Sequence, residues 1–136
     1  MTASPSAGDP VDVACTLYDQ ATAAGAAGDA ETARTLLGEA LGLFEAAEGP
    51  ASLNTAATLN NLGALAEDQS AYPQATAYYQ RAVSIVDHDA THHGQGDEAT
   101  RALPEEVVRL RLEAWRNLGR LRRIAGHFAE AERLFR

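Results

Sequence analysis

The sequence predicts an all-α fold in which pairs of antiparallel helices stack side by side as a solenoid. Apolar residues recur three and four positions apart, which is the helical period, and no segment alternates in the way that strands do. One skeleton also repeats along the chain, and repeated helix pairs stack to present a surface rather than to enclose a catalytic pocket. Its clearest copies are Leu59-x-x-Leu62-Gly63 with Ala75, Tyr79 and Ala82, and Trp115-x-x-Leu118-Gly119 with Ala131 and Phe135; a weaker copy has Leu17, Ala21, Ala33, Leu37 and Ala40.

The first helix pair is predicted over residues 10–48. Residues 1–9 are rich in serine, alanine, glycine and proline, which predicts a disordered tail. Asp9 and Pro10 are typical of a helix start, so helix one is expected from about residue 10 to residue 24. Gly25 to Gly28 form the turn, and Asp29 caps a second helix that ends near Glu48.

The second pair is predicted over residues 51–88. Gly49-Pro50 breaks the chain, and helix three is expected from about Ser52 to Asp68. Residues 70–73 form the next turn, and helix four continues to about Asp87.

The third pair is predicted over residues 104–136, after a loop over residues 88–103. Pro104 is expected to open helix five, Gly126 to end it, and helix six to begin near Phe128 and to be incomplete at Arg136. We therefore expect a longer native chain, or a C-terminal edge that another chain covers, which includes self-association through that edge.

Several side chains are expected to pack inside this architecture. Cys15, the one cysteine, is predicted to be a small packing residue. The inner faces of helices one and five are predicted to include Val13, Val108 and Leu112.

This skeleton resembles the tetratricopeptide repeat. Ala33 and Ala75 are 42 residues apart, and with the segment from Gly49 to Gly63 this spacing resembles the kinesin-light-chain type of the repeat. The resemblance covers about residues 14–136 and implies a right-handed α-α superhelix of about three helical hairpins. It also implies that Gly63 and Gly119 are the small residues that let the second helix of a pair approach the first closely, and that Trp115 is a core residue. HEAT repeats, which also pair helices over 40–47 residues, are the alternative.

Charge and composition limit the possible partners. The net charge is −8, but residues 101–136 hold nine arginines and five acids, and the chain has no lysine. The acidic majority makes a nucleic acid an unlikely partner, whereas the basic end favours an acidic protein or peptide. No apolar run is long enough to cross a membrane and no secretion signal is present, so we expect a soluble, cytoplasmic protein.

The resemblance implies a binding site on the concave face, which the first helix of each pair forms. Arginine and asparagine side chains on that face suit a peptide backbone or a carboxylate, because both are planar hydrogen-bonding groups. The register adds Asp19, Thr22 and Ala64 to this face. The residues predicted to bind a partner are Tyr18, Asn60, Asn61, Glu67, Arg116, Asn117, Arg120 and Arg123.

No catalytic, cofactor or metal site is predicted. His88, His92 and His93 lie near Asp87, Asp89 and Asp97, but the following glycines favour a solvated loop over a metal site. Nucleophile and phosphate-loop motifs are absent from the sequence. The function expected is a non-catalytic protein-interaction module; the alternative is a sensor or regulatory segment of a larger signalling protein with an ATPase or protease effector.

Overall fold

The computed structural model describes residues 8–93 and 105–134, and over these ranges it consists of five α-helices without a strand. The all-α fold class is therefore confirmed. The helices are α1 (Pro10–Ala26), α2 (Ala30–Glu48), α3 (Leu53–Asp68), α4 (Tyr72–His93) and α5 (Glu105–Leu134). Packing joins α1 with α2, α3 with α4, α2 with α3, and α5 with both α3 and α4.

Caps and left-handed turn residues set the first two helix pairs. Asp9, Asp29 and Ser52 each accept a hydrogen bond from a backbone amide in the following first turn, at 2.9 to 3.1 Å. Gly28 and Gly49 have φ angles of 86° and 93°, which glycine adopts without steric cost. These positions confirm the predicted turns between α1 and α2 and between α2 and α3.

The core consists of small residues along the helix contacts and a few large side chains between them. The repeat alanines Ala33, Ala40, Ala75 and Ala82 are at most 1% exposed. Tyr79 is fully buried and lies against Gly63, where a Cβ atom would be 2.5 and 2.7 Å from two of its ring carbons. The prediction that Gly63 allows close approach of helix four is therefore confirmed.

The prediction of a helix break at Gly126 is wrong, because α5 runs without interruption from Glu105 to Leu134. A glycine inside a helix costs only about 1 kcal/mol relative to alanine. Each turn between the first four helices contains a side chain that caps the next helix or a residue with a left-handed φ angle. Gly126 is followed directly by His127 and Phe128, which provide neither signal. The predicted helix six is consequently the C-terminal part of α5.

The loop predicted over residues 88–103 is also wrong in part. Residues 88–93 belong to α4, and the remaining residues of that loop lie outside the described ranges. The tail predicted over residues 1–9 lies outside them too, except for Gly8 and the capping residue Asp9.

Six of the positions predicted to pack inside are open, and the four on α5 are open because no described helix folds back along α5. Trp115, Val108 and Leu112 are 42%, 38% and 60% exposed rather than buried. A Cβ atom on Gly119 would meet no heavy atom of the described residues within 4 Å. Cys15 is exposed on α1 rather than packed inside, and Val13 beside it is 39% exposed.

Gly63 and Gly119 make a matched pair for a stability test. We expect Gly63→Ala to lower the free energy of unfolding by about 1–3 kcal/mol, because the added methyl group overlaps the buried ring of Tyr79. We expect Gly119→Ala to raise it by up to about 1 kcal/mol, because the methyl group enters open space and alanine favours the helix. Urea denaturation of both variants measures the difference. Equal changes of the same sign would contradict this packing.

Candidate protein-binding groove

The three helices α1, α3 and α5 form a groove with α3 at its base. Its N-terminal half contains a cavity of about 240 Å³ between α1 and α5, and the fully buried Phe44 of α2 contributes to the lining. A second, apolar cavity of about 190 Å³ lies between α1, α2 and α3 and includes Thr22 and Ala64. The larger cavity is lined by Cys15, Tyr18, Asp19, Phe44, Asn54, Ala57, Glu106, Arg109, Leu110 and Glu113.

A hydrogen bond joins α1 to α3 across the groove. The Asn61 side-chain amide donates to the Tyr18 hydroxyl at 2.7 Å. Burial raises the pKa of Tyr18, and the carboxylates of Glu113 and Asp19 act in the same direction, while the Asn61 amide opposes them. Tyr18 therefore keeps its proton, and no described residue accepts that proton.

A second amide pair joins α3 to α5. The Asn117 side-chain amide donates to the Asn60 side-chain carbonyl at 2.9 Å. Asn60 is only 3% exposed, so this bond satisfies a polar group that would otherwise be buried without a partner. The pair fixes the position of α5 over α3.

Glu67 forms the strongest polar contact in the groove. It accepts two hydrogen bonds from the Arg120 guanidinium, at 2.8 and 2.6 Å, and one from the Tyr79 hydroxyl at 2.9 Å. The Arg120 hydrogen bonds hold the pKa of Glu67 below its ordinary value, although partial burial opposes them. Burial and then the neighbouring Glu67 raise the pKa of Tyr79, so the phenol remains a donor.

Six of the eight predicted binding residues therefore contact one another. They are Tyr18 with Asn61, Asn60 with Asn117, and Glu67 with Arg120. Arg116 and Arg123 are exposed, seven residues apart on α5, and no described residue forms a hydrogen bond or ion pair with them. These two arginines are the predicted residues whose charge is available to a partner.

Sequence reasoning missed most of the larger cavity, although the helical period contained the signal. Asn54, Leu110, Arg109 and Glu106 each stand seven residues before a groove residue, namely Asn61, Asn117, Arg116 and Glu113. Two helical turns separate such residues, so each lies on the same helix face as its counterpart. Three carboxylates and one guanidinium line the cavity, which makes this end of the groove acidic.

Metal-binding side chains are not clustered in the described part of the chain. Within residues 8–93 and 105–134 no three histidine, cysteine or acidic side chains are arranged to hold an ion. His88 is exposed on α4 and has an interaction partner. None of the described helices is long and apolar enough to cross a membrane.

Comparison with known proteins gives the family. The family model of the tetratricopeptide repeat matches residues 12–87, which span most of the two helix pairs that α1 to α4 form. This chain is a tetratricopeptide repeat protein. The resemblance seen in the sequence is thus confirmed, and members of this family mediate protein–protein interactions through repeats that are themselves non-catalytic.

A solved structure has a similar fold. BtubC (BKLC) from P. vanneervenii, a kinesin-light-chain-like repeat protein, matches with a TM-score of 0.56 and 24% sequence identity. The match covers 87% of this chain and 48% of BtubC, so the chain spans about half the length of that tetratricopeptide repeat protein. At this identity the likeness concerns the fold. No curated protein shows significant similarity to the chain.

The Glu67 contact predicts a specific pH dependence of stability. Because the folded-state pKa of Glu67 lies below its ordinary value of 4.5, the stabilisation is fully present above 4.5 and is lost as the pH falls from there through the folded-state pKa. We expect the free energy of unfolding to fall between pH 7 and pH 3 by roughly 1 kcal/mol more in the native chain than in Glu67→Gln. This figure is modest because the Arg120 side chain is 38% exposed.

Urea denaturation at a series of pH values measures this difference. Glu39→Gln is the matched control, since Glu39 is exposed on α2 and contacts none of these residues. It should reproduce the pH dependence of the native chain. If Glu67→Gln does so as well, Glu67 and Arg120 do not stabilise the fold as a charged pair.

Proposed function

We propose that this chain is a non-catalytic interaction module that holds a peptide or a partner helix in the groove of α1, α3 and α5. The observation that carries this proposal is the row of polar side chains along the groove, which already hold one another in place. Because the Tyr18–Asn61, Asn60–Asn117 and Glu67–Arg120 pairs are formed beforehand, little side-chain entropy is lost when a partner binds.

The remaining hydrogen-bonding capacity of these groups suits a peptide backbone. The Tyr18 hydroxyl accepts from Asn61, so its own hydrogen is available to a carbonyl oxygen of a partner. Asn61 uses one amide hydrogen in this contact, which leaves its other hydrogen and its carbonyl oxygen for a partner. A donor and an acceptor side by side match the alternating polar groups of an extended chain.

The charged side chains at the two ends of the groove favour one orientation of the bound segment. Arg116 and Arg123 favour acidic groups on the partner, whereas Asp19, Glu106 and Glu113 at the cavity favour a basic or neutral group. At about 1.5 Å per residue, the arginines are centred about 15 Å along α5 from the acidic cavity. A segment with acidic residues at one end only therefore fits better than a uniformly acidic one.

The other predictions about function stay predictions. No described residue supports the predicted cytoplasmic location. The same is true of the alternative role as a sensor or regulatory segment. A preference for protein over nucleic acid agrees with the acidic cavity, since phosphates would be repelled there.

A peptide selection tests the groove proposal. Peptides selected from a displayed random library against the whole chain are labelled, and their Kd is measured by fluorescence anisotropy. We expect Arg116→Glu and Arg123→Glu each to weaken binding roughly tenfold or more, since a hydrogen bond to a charged group contributes about 1.5–3 kcal/mol. Circular dichroism should show unchanged folding, because both side chains are exposed and neither forms a hydrogen bond or ion pair with a described residue.

Arg34→Glu supplies the control for the change in charge. Arg34 is exposed on α2 and lines neither of the two cavities of the groove. Its reversal should leave the Kd within about twofold, as befits a distant, screened surface charge. The groove proposal fails if all three variants bind the selected peptides alike, or if no peptide can be selected.

A further inference from the structure

The cavity between α1 and α5 has room for one side chain of a partner. Its volume of about 240 Å³ lies below the roughly 300–1,000 Å³ of sites that hold drug-sized molecules. Asp19, Glu106 and Glu113 line it and are exposed, so the cavity is open to the groove. A side chain of a bound segment can therefore enter the cavity while the backbone of that segment stays in the groove.

The polar groups of this cavity are mainly hydrogen-bond acceptors. Asp19 lines it from α1, and Glu106 and Glu113 line it from α5. Within the described residues, none of these three carboxylates forms an ion pair. The side-chain amide of Asn54 donates to Glu48 at 2.9 Å, which leaves the Asn54 side-chain carbonyl oxygen available to accept. A ligand group that only donates hydrogen bonds complements these acceptors.

Apolar side chains form the other walls of the cavity. Phe44 is only 2% exposed, and Ala57 and Leu110 line the cavity with it. Lysine and arginine have an aliphatic stem that packs against such a surface and a charged end group that only donates. A neutral side chain would cover the apolar walls but leave the carboxylates without a counter-charge. A basic side chain therefore fits both parts of the cavity.

The side chains of the cavity also show its negative electrostatic field. Burial is the largest cause of the raised pKa of Tyr18, and the carboxylates of Glu113 and Asp19 raise this pKa further. Burial, and then the carboxylates of Asp12 and Asp19, raise the pKa of the Cys15 thiol. A field that disfavours the anionic forms of Tyr18 and Cys15 favours a cation in the same place.

The apolar cavity lies next to this one along α3. Asn54 and Ala57 line the first cavity, and Asn61 and Ala64, each seven residues later, line the apolar cavity. Seven residues of an α-helix span about 10 Å, which is close to the length of three residues in a polyproline II segment. Such a segment has three residues per turn, so side chains three residues apart point the same way. One extended segment can therefore fill both cavities.

We propose that the groove selects an extended segment in which a lysine or arginine stands three residues from an aliphatic residue. The basic side chain enters the cavity between α1 and α5, and the aliphatic side chain enters the apolar cavity. The backbone between them passes the Tyr18 hydroxyl and the Asn61 amide. This inference rests on the groove function proposed above and adds the chemistry that the partner must have. Apolar contact provides affinity, and the carboxylates provide selectivity.

Cys15 allows a test of the cavity that needs no peptide, because it lines the cavity and is the one cysteine of the chain. Disulfide exchange with cystamine attaches a cationic aminoethyl group, and exchange with hydroxyethyl disulfide attaches a neutral group of the same length. The two reagents compete at mildly alkaline pH, because the thiol pKa is raised. We expect mass spectrometry to show the cationic adduct in excess by about threefold or more at low salt.

Glu113→Gln and Glu105→Gln form the matched pair of variants for this competition. Both residues are exposed on α5, and of the two only Glu113 lines the cavity. We expect Glu113→Gln to lower the excess of the cationic adduct about twofold, and Glu105→Gln to leave it unchanged. Arg109→Gln should increase the excess, because it removes a cation from the cavity lining. No excess in the native chain, or equal effects of Glu113→Gln and Glu105→Gln, would overturn the proposal even if the groove binds peptides.

The peptides selected for the groove test the spacing. We expect them to be enriched in lysine or arginine three residues from leucine, isoleucine or valine. Replacing that basic residue by norleucine keeps an aliphatic stem and removes the charge, so it should weaken binding about tenfold in the native chain and by a smaller factor in Glu113→Gln. Peptides that respond to Arg116→Glu but lack this pair would leave the groove function standing and overturn the present inference. A spacing of seven residues would also overturn it, because it would identify a helical segment.

Discussion

The contact of Tyr79 with Gly63 connects the packing of this protein with its binding groove. Because Gly63 has no side chain, α4 approaches α3 until the tyrosine ring lies against the helix backbone. The buried hydroxyl then requires a partner, which is Glu67, and Glu67 in turn binds Arg120 of α5. One close helix contact thus determines the spacing of the second repeat, the position of the third and the polar surface between them.

The same polar pairs that position the helices decide which charges a ligand meets. Arg120 has its charge balanced by Glu67, and Asn117 donates to Asn60, so these residues contribute shape more than free charge. The unbalanced charge lies to either side, with Arg116 and Arg123 toward one end and the carboxylates of the cavity toward the other. A sequence that is acidic overall therefore yields a groove with one basic end and one acidic end.

Local rules in the sequence were sufficient for the turns between the first four helices, and they failed where a contact had to be assumed. Asp29, Gly49 and Ser52 mark turns that depend on neighbouring residues alone, and the structure has those turns. Trp115 is expected in the core from its position in the repeat, but burial requires a helix on that side and α5 does not fold back. The pairing of Asn60 with Asn117 joins residues 57 positions apart, which helical spacing cannot predict.

An exposed glycine in a helix does not by itself mark a binding surface. Gly38 and Gly42 of α2 are as open as Gly119, and each costs about 1 kcal/mol relative to alanine. Gly119 differs because Leu112 and Trp115 are exposed beside it at the spacing that α4 covers on α3. A glycine, an exposed leucine and an exposed tryptophan are each unfavourable or neutral on a solvated helix, and together they reproduce an interface that this chain already uses internally. The coincidence of the three, rather than any one of them, is what makes this face of α5 equivalent to the face of α3 that α4 covers.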